Sequence, residues 1–435
     1  MSKEAVLKYN TEIPTLGPAK TTTPLGHTKY VDESQPQSLI MTPEELAELE
    51  NDTVTMHFEK AGPRKKIYFD PSKTKCAIVT CGGICPGIND VIRALVLEAH
   101  FNYNIRTVLG IRNGFRGFIP KYGYDVMELT PERVTNIHHF GGTILGTSRE
   151  LQDPAEIVDS LERLNINVLF VIGGDGSMRA AKAIMDETFR RKRKISVIGI
   201  PKTIDNDINF ITRSFGFDTA VGKATEAIQC AHVEATGVDM GVGLVKLMGR
   251  EAGFIAAQAT LALQEVNFLL VPEVKFSLEG ENGFLAALER RLDSRKHAVI
   301  VCAEGAGQDL MCEKIKRDES GNPELGDICG LLMQRIREYF EKRGKECTLK
   351  FIDPSYIIRS VAANAADRVY CTFLGQQAVH AAMAGKTGMV VTHLKSSMVH
   401  LPLDLVALKR RSLNPHSDYW CTVMESTGQE SYFLT

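Results

Sequence analysis

Three loops concentrate the residue types that handle phosphate. The first runs CGGICPGIN from Cys81 to Asn89. Its glycines let the backbone approach an anion, and the N–H groups at a helix start point toward one. The second is GGDGS, from Gly173 to Ser177. Three glycines admit a phosphate chain. Asp175 among them can hold Mg²⁺, which takes carboxylate, water and phosphate oxygens. The competing reading makes Asp175 or Ser177 a helix cap. The third is PKTIDND, from Pro201 to Asp207. One of its carboxylates can accept a hydroxyl proton while the other orients it or helps place the metal. Lys202 can neutralise charge on a transferring phosphoryl group. A surface turn built from Asp and Asn is the alternative for this loop alone. Three such loops in one chain point to phosphoryl transfer.

These loops need a scaffold in which strands end where helices begin. Apolar runs at 76–80, 107–111, 168–172 and 195–200 read as buried strands, with helices following residue 87 and over 177–192. The alternation restarts after Val221. Helices at 222–230, 252–263 and 283–292 precede strands at 243–248, 268–271 and 298–302. A long helical pattern covers 362–384, and 389–392 can add a strand to either sheet. Such alternation indicates parallel sheets with right-handed crossovers, whose ligands bind at the carboxyl ends of the strands. The expected fold is α/β, with two Rossmann-like parallel-sheet domains. Residues 1–73 differ: they hold Pro and Thr clusters, an acidic helical stretch at 42–50 and little β pattern. They read as an extension lying on the core. The run RRKRK at 190–194 reads as a helix end complementing the macrodipole rather than as a nucleic-acid signal.

Composition removes other classes. With 51 basic and 53 acidic residues, no global field favours nucleic acid or an anionic membrane. No stretch approaches about 20 apolar residues, and the N-terminal sequence does not read as a signal peptide. The ten cysteines include no CxxC pair, which suits neither zinc nor a disulfide framework and suggests reduced thiols in a cytoplasmic protein.

The segments TCGGICPGIN, GGTILGTSR, VIGGDGS, PKTIDND, VKLMGR, CAEG and DPSYIIR occur in the order and rough spacing of the phosphofructokinases. The chain resembles that family from about residue 75 to 409. The resemblance implies a nucleotide-binding domain at 74–215, with 360–409 returning to it, and a sugar-phosphate domain at 216–359 joined by 410–435. It implies that Gly82, Arg149 and Glu150 meet the nucleotide, that Gly174, Asp175, Gly176 and Ser177 cradle ATP, and that Asp175 holds Mg²⁺. Asp205 would be the general base toward the 1-hydroxyl of fructose 6-phosphate. Thr203 and Lys202 would meet the phosphoryl group and Asp207 would support the site. Met248, Gly249, Arg250, Glu304, Lys350, Tyr356 and Arg359 would hold the sugar phosphate. A homotetramer is also implied.

Departures from the family pattern narrow the subgroup. Bacterial ATP enzymes carry glycine where this chain has Lys202, and pyrophosphate-dependent ones share the lysine. The latter carry aspartate at the position of Gly176. This pairing is similar to the ATP-dependent trypanosomatid and plant-type subgroup. A phosphate-binding arginine of the bacterial enzymes aligns with Lys350, and a second, donated across a subunit interface, aligns with Gly241, so that interface contribution and the bacterial allosteric site are not carried over. The rivals are transfer from pyrophosphate, another GGDG-type kinase, and a non-catalytic metabolite sensor.

Overall fold

The computed structural model describes residues 10–26, 28–40, 55–311, 325–406 and 410–431. The acidic stretch at 42–50 lies outside them. The chain divides into two compact units. One comprises Met1–Thr203, Ile208–Gly216 and Val361–Arg410, and the other Ile204–Asp207, Phe217–Ser360 and Arg411–Thr435.

The extension carries more β structure than its sequence suggests. Strand β1 (Thr21–Thr22) pairs antiparallel with β4 (Lys66–Ile67), and β2 (Gln37–Ile40) with β3 (Thr55–Phe58). Strands of two to four residues are too short to leave a readable alternation. Charge ties the extension to the rest of the first unit. Buried Arg64 donates to Glu33 and Glu59, both at 2.7 Å. Glu59 also meets Lys386 at 2.8 Å and His400 at 3.3 Å. Burial works against the Glu59 charge, but His400 and Lys386 hold its pKa far below the usual range. Met56 and Phe58 enter the apolar core.

The first unit is built on a seven-stranded sheet. Its order is β15-β14-β9-β8-β5-β6-β7, from Ser397–Pro402, Met389–Leu394, Ser196–Pro201, Val168–Gly173, Lys75–Thr80, Thr107–Ile111 and Met127–Glu128. Only the outermost strand at each edge runs antiparallel to its neighbour. β8 and β9 are buried along their whole length, as expected of parallel strands covered on both faces. Gly199 in β9 lets helix Asp175–Arg190 sit close: a Cβ there would lie 2.6 Å from the Met178 sulfur. The strand at 389–392 joins this sheet beside β9.

The second unit holds a four-stranded, all-parallel sheet in the order β11-β12-β10-β13, from Phe268–Leu270, His297–Ala303, Gly241–Leu247 and Thr348–Ile352. β13 (TLKFI) was not legible as a strand, because it is an edge strand with mixed exposure and no continuous apolar run. Gly241 begins β10, and a Cβ there would lie 2.1 Å from the Ala235 carbonyl oxygen. The backbone at this position therefore excludes a side chain. Among the described residues, no helix is long and apolar enough to cross a membrane, and nine cysteines are free.

Candidate active site

In the first unit, loops at the carboxyl ends of neighbouring strands are stitched together. The Cys81 N–H donates to the Ile172 carbonyl at 2.9 Å, and the Lys202 N–H to the Gly173 carbonyl at 2.9 Å. Gly82 donates to Ser148 at 2.9 Å and accepts from the Thr147 hydroxyl at 2.7 Å. The buried Lys202 ammonium lies beside Gly82, 3.9 Å from where a Cβ would stand, and the Arg149 guanidinium has the same relation to Gly83. Gly82, Arg149, Gly174–Ser177 and Lys202 thus converge. Glu150 does not turn freely toward them, since its carboxylate pairs with Arg116.

The glycines of the second loop differ in purpose. A Cβ on Gly173 would collide with Ser177 at 2.3 Å, and one on Gly174 would press on the Lys202 carbonyl at 3.3 Å. A Cβ on Gly176 would meet nothing within 4 Å. Packing accounts for the first two and leaves the third unexplained by the fold. Helix Asp175–Arg190 starts from Gly174 with no side-chain cap, so neither Asp175 nor Ser177 is the cap. By contrast, Asp153, Asp327, Asn364 and Ser417 cap helices elsewhere. Uncapped N–H groups and the positive end of the dipole make this terminus receptive to an anion. The Asp175 carboxylate instead engages the Arg410 guanidinium at 2.7 Å. A carboxylate at an anion-receptive helix end is a donor set that suits Mg²⁺ bound to phosphate.

The unit boundary runs through the third loop, leaving Lys202 and Thr203 in the first unit and Asp205 and Asp207 in the second. Asp207 is buried, Asp205 half-buried, and Asn206 between them adopts a left-handed φ of 56°. The Asp207 carbonyl accepts from the Arg411 N–H at 2.7 Å.

In the second unit the same zipping recurs with different contents. Glu304 donates its N–H to the Leu247 carbonyl at 2.9 Å, and Gly305 to Gly249 at 3.0 Å. The fit leaves no room at Gly305, where a Cβ would lie 1.9 Å from the Arg250 carbonyl oxygen. Burial pushes the Glu304 carboxyl above its usual range. The Lys246, Arg250 and Arg359 charges oppose that shift, while Asp353 adds to it. Lys246 pairs with Asp353 at 3.3 Å. The Arg359 guanidinium stacks over the exposed Tyr356 ring, 4.5 Å from its centroid. Lys350 stands apart: it lies level with Gly243 and pairs with Glu234 at 3.6 Å.

Residues 75–382 match the family described as Phosphofructokinase. The chain belongs to the phosphofructokinase family. It is 50% identical over 378 residues to an ATP-dependent 6-phosphofructokinase of Borreliella burgdorferi, covering 85% of each chain. It is 46% identical over 372 residues to one of Trypanosoma brucei brucei, covering 85% of this chain and 76% of that protein. Among solved structures, a pyrophosphate-dependent phosphofructokinase from Marinobacter aquaeolei shares the fold. Its TM-score is 0.66 at 22% identity, covering 82% of this chain and 91% of that one.

Within this phosphofructokinase chain, sequence reasoning passed over Lys246, Asp353, Arg410 and Arg116. Asp353 opens the DPSYIIR segment and Lys246 precedes MGR, so both sat inside legible motifs. Arg410 had no motif to mark it, because it lies 235 residues from the aspartate it meets.

Proposed function

We propose that the chain is an ATP-dependent 6-phosphofructokinase. It transfers the γ-phosphoryl group of ATP to the 1-hydroxyl of fructose 6-phosphate in glycolysis, giving ADP and fructose 1,6-bisphosphate. Relatives bearing that name at 45% to 50% identity over most of the chain support the activity. The observation that carries the donor choice is the open space at Gly176. Glycine costs a helix about 0.5–1 kcal/mol relative to alanine, and no neighbour requires it there. An uncharged, side-chain-free position at the helix start leaves room for the α-phosphate and nucleoside.

In this reading the amides of Gly174–Ser177, with Gly82 and Arg149, hold the donor's phosphates. Asp175 would hold Mg²⁺, which spreads the phosphate charge when bound. Asp205 takes the proton of the 1-hydroxyl. The sugar oxygen bonds to the γ-phosphorus as the bond from that phosphorus to ADP breaks. Lys202 and Thr203 face the moving phosphoryl group, where electrostatic stabilisation supplies most of the rate. Asp207 fixes the loop through its link to Arg411. Met248, Gly249, Arg250, Glu304, Tyr356 and Arg359 hold the sugar phosphate, with Lys350 adding charge from farther away. The working form is a cytoplasmic homotetramer.

Lys202 is the marker shared with pyrophosphate enzymes and favours the rival donor. Purified protein with fructose 6-phosphate and Mg²⁺, given ATP or pyrophosphate in parallel, decides between them. Turnover with ATP is expected. A preference for pyrophosphate overturns the assignment.

A further inference from the structure

Asp175 is the first residue of its helix, where a carboxylate is already stabilised by the dipole. It needs no cation to remain there. Yet the Arg410 Nε donates to its Oδ2 at 2.7 Å, with the two side chains 30% and 15% exposed. The backbone around Arg410 is fixed on the PKTIDND side. Arg410 forms an isolated antiparallel bridge with Ile208, and the next N–H, of Arg411, donates to the Asp207 carbonyl. A guanidinium is thereby carried to the one carboxylate of the phosphate loop. A planar guanidinium also matches phosphate oxygens in a two-pronged fashion that an ammonium does not. The uncapped N–H groups of the same helix end are where those oxygens are expected.

We propose that Arg410 is a donor-site residue with two positions. Without nucleotide it occupies the Asp175 carboxylate in place of a metal. When metal-bound nucleotide enters, the Asp175 carboxylate would hold the metal and the Arg410 guanidinium would pass to the phosphate chain. This rests on the reading of Asp175 as the metal-holding residue. Its consequence is that the site resists metal alone and accepts metal and nucleotide together. Arg410 competes for one and contributes to the other.

The test separates these two roles with Arg410→Met, which keeps the aliphatic stem and removes the charge. Thermal melting checks that the full-length variant is folded. Mn²⁺ binding without nucleotide, read from the electron paramagnetic resonance of the free ion, is expected to tighten by about threefold or more on loss of the competing charge. The KM for MgATP is expected to rise about tenfold or more as a charge-assisted phosphate contact is lost. A purely structural role would move both in the weakening direction. Arg410→Lys should keep the wild-type Mn²⁺ behaviour while still raising the KM for MgATP. Unchanged or weaker Mn²⁺ binding in a folded Arg410→Met protein, or an unchanged KM for MgATP, overturns the proposal. Asp175→Asn combined with Arg410→Met isolates the underlying reading. The double variant should lose the gained Mn²⁺ binding, and if it keeps that binding the metal is not on Asp175.

Discussion

The two units solve the same problem with different materials. In each, loops at the ends of adjacent parallel strands are joined by a backbone bond: Lys202 to Gly173 in one, Glu304 to Leu247 in the other. The first unit then lines its loops with glycines, bare helix N–H groups and few side chains. The second lines its loops with Lys246, Arg250, Glu304, Asp353 and Arg359, whose charges act together on the Glu304 carboxyl. A backbone cradle suits a ligand that is recognised by its phosphates. A side-chain network suits one recognised by hydroxyls and a single phosphate, where each contact must be placed separately. The first kind is sensitive to added bulk and the second to removed charge.

The largest expected effect is on the proton removal proposed for Asp205. Asp205→Asn keeps shape but cannot take a proton at neutral pH, so kcat should fall about 10²–10⁴-fold. Near-normal turnover of a folded variant would remove Asp205 from its role.

Next comes bulk on the cradle. Gly176→Asp places a carboxylate where the fold has space, so melting should barely change. A like charge beside a phosphate costs several kcal/mol, and the KM for ATP should rise about a hundredfold or more. Activity with pyrophosphate is measured on the same variant. An ATP KM near the wild-type value would mean that Gly176 does not face the donor.

Removing charge from the network is the third test. Lys246→Met strips a partner from Asp353 and Glu304 without touching the first unit. The KM for fructose 6-phosphate should rise about tenfold, with that for ATP unmoved. The pH profile carries a second reading. Burial already raises the Glu304 pKa, and Lys246 is the largest charge opposing it. Losing that cation disfavours the carboxylate and lifts the pKa further. As pH falls, Glu304 is protonated earlier, and the acid limb of kcat/KM for the sugar phosphate should shift to higher pH. An acid limb that stays in place would show that another group titrates.

The smallest effect is expected at Lys350. Its pair with Glu234 is exposed on both sides, and such pairs contribute about 0–1 kcal/mol. Lys350→Met should change the sugar-phosphate KM by less than about threefold. A large rise would place this lysine at the phosphate and extend the network to β13.

The same contrast explains what could be read in advance. The first unit was legible because its loops are marked locally: GGDGS and the start of PKTIDND each lie at the end of an apolar run, and strand and motif announce one another. Strands at 76–80, 168–172 and 195–200 fell within a residue or two of their observed ends. The second site was legible only in part. MGR and the CAEG segment that carries Glu304 stood out, but the Lys246–Asp353 pair joins residues 107 positions apart whose partnership is set by the register of β10 and β13. Arg410 illustrates the limit. A side chain that works on a distant loop leaves no local pattern, and only the folded chain brings it to Asp175.

The charge network that pins the extension has a consequence in time. Glu59 leaves the ribosome 327 residues before Lys386, and Thr15 pairs with that same lysine. At elongation rates of about 5–20 residues per second, that gap lasts roughly 15–65 s. Through that interval Phe58, which ends 1% exposed, has no finished sheet to lie on. The extension completes these contacts only after Lys386 and His400 have been made. A nascent chain stalled before residue 386 therefore presents an unburied aromatic strand and a Glu59 carboxylate without Lys386 and His400, which is the state a chaperone or protease meets.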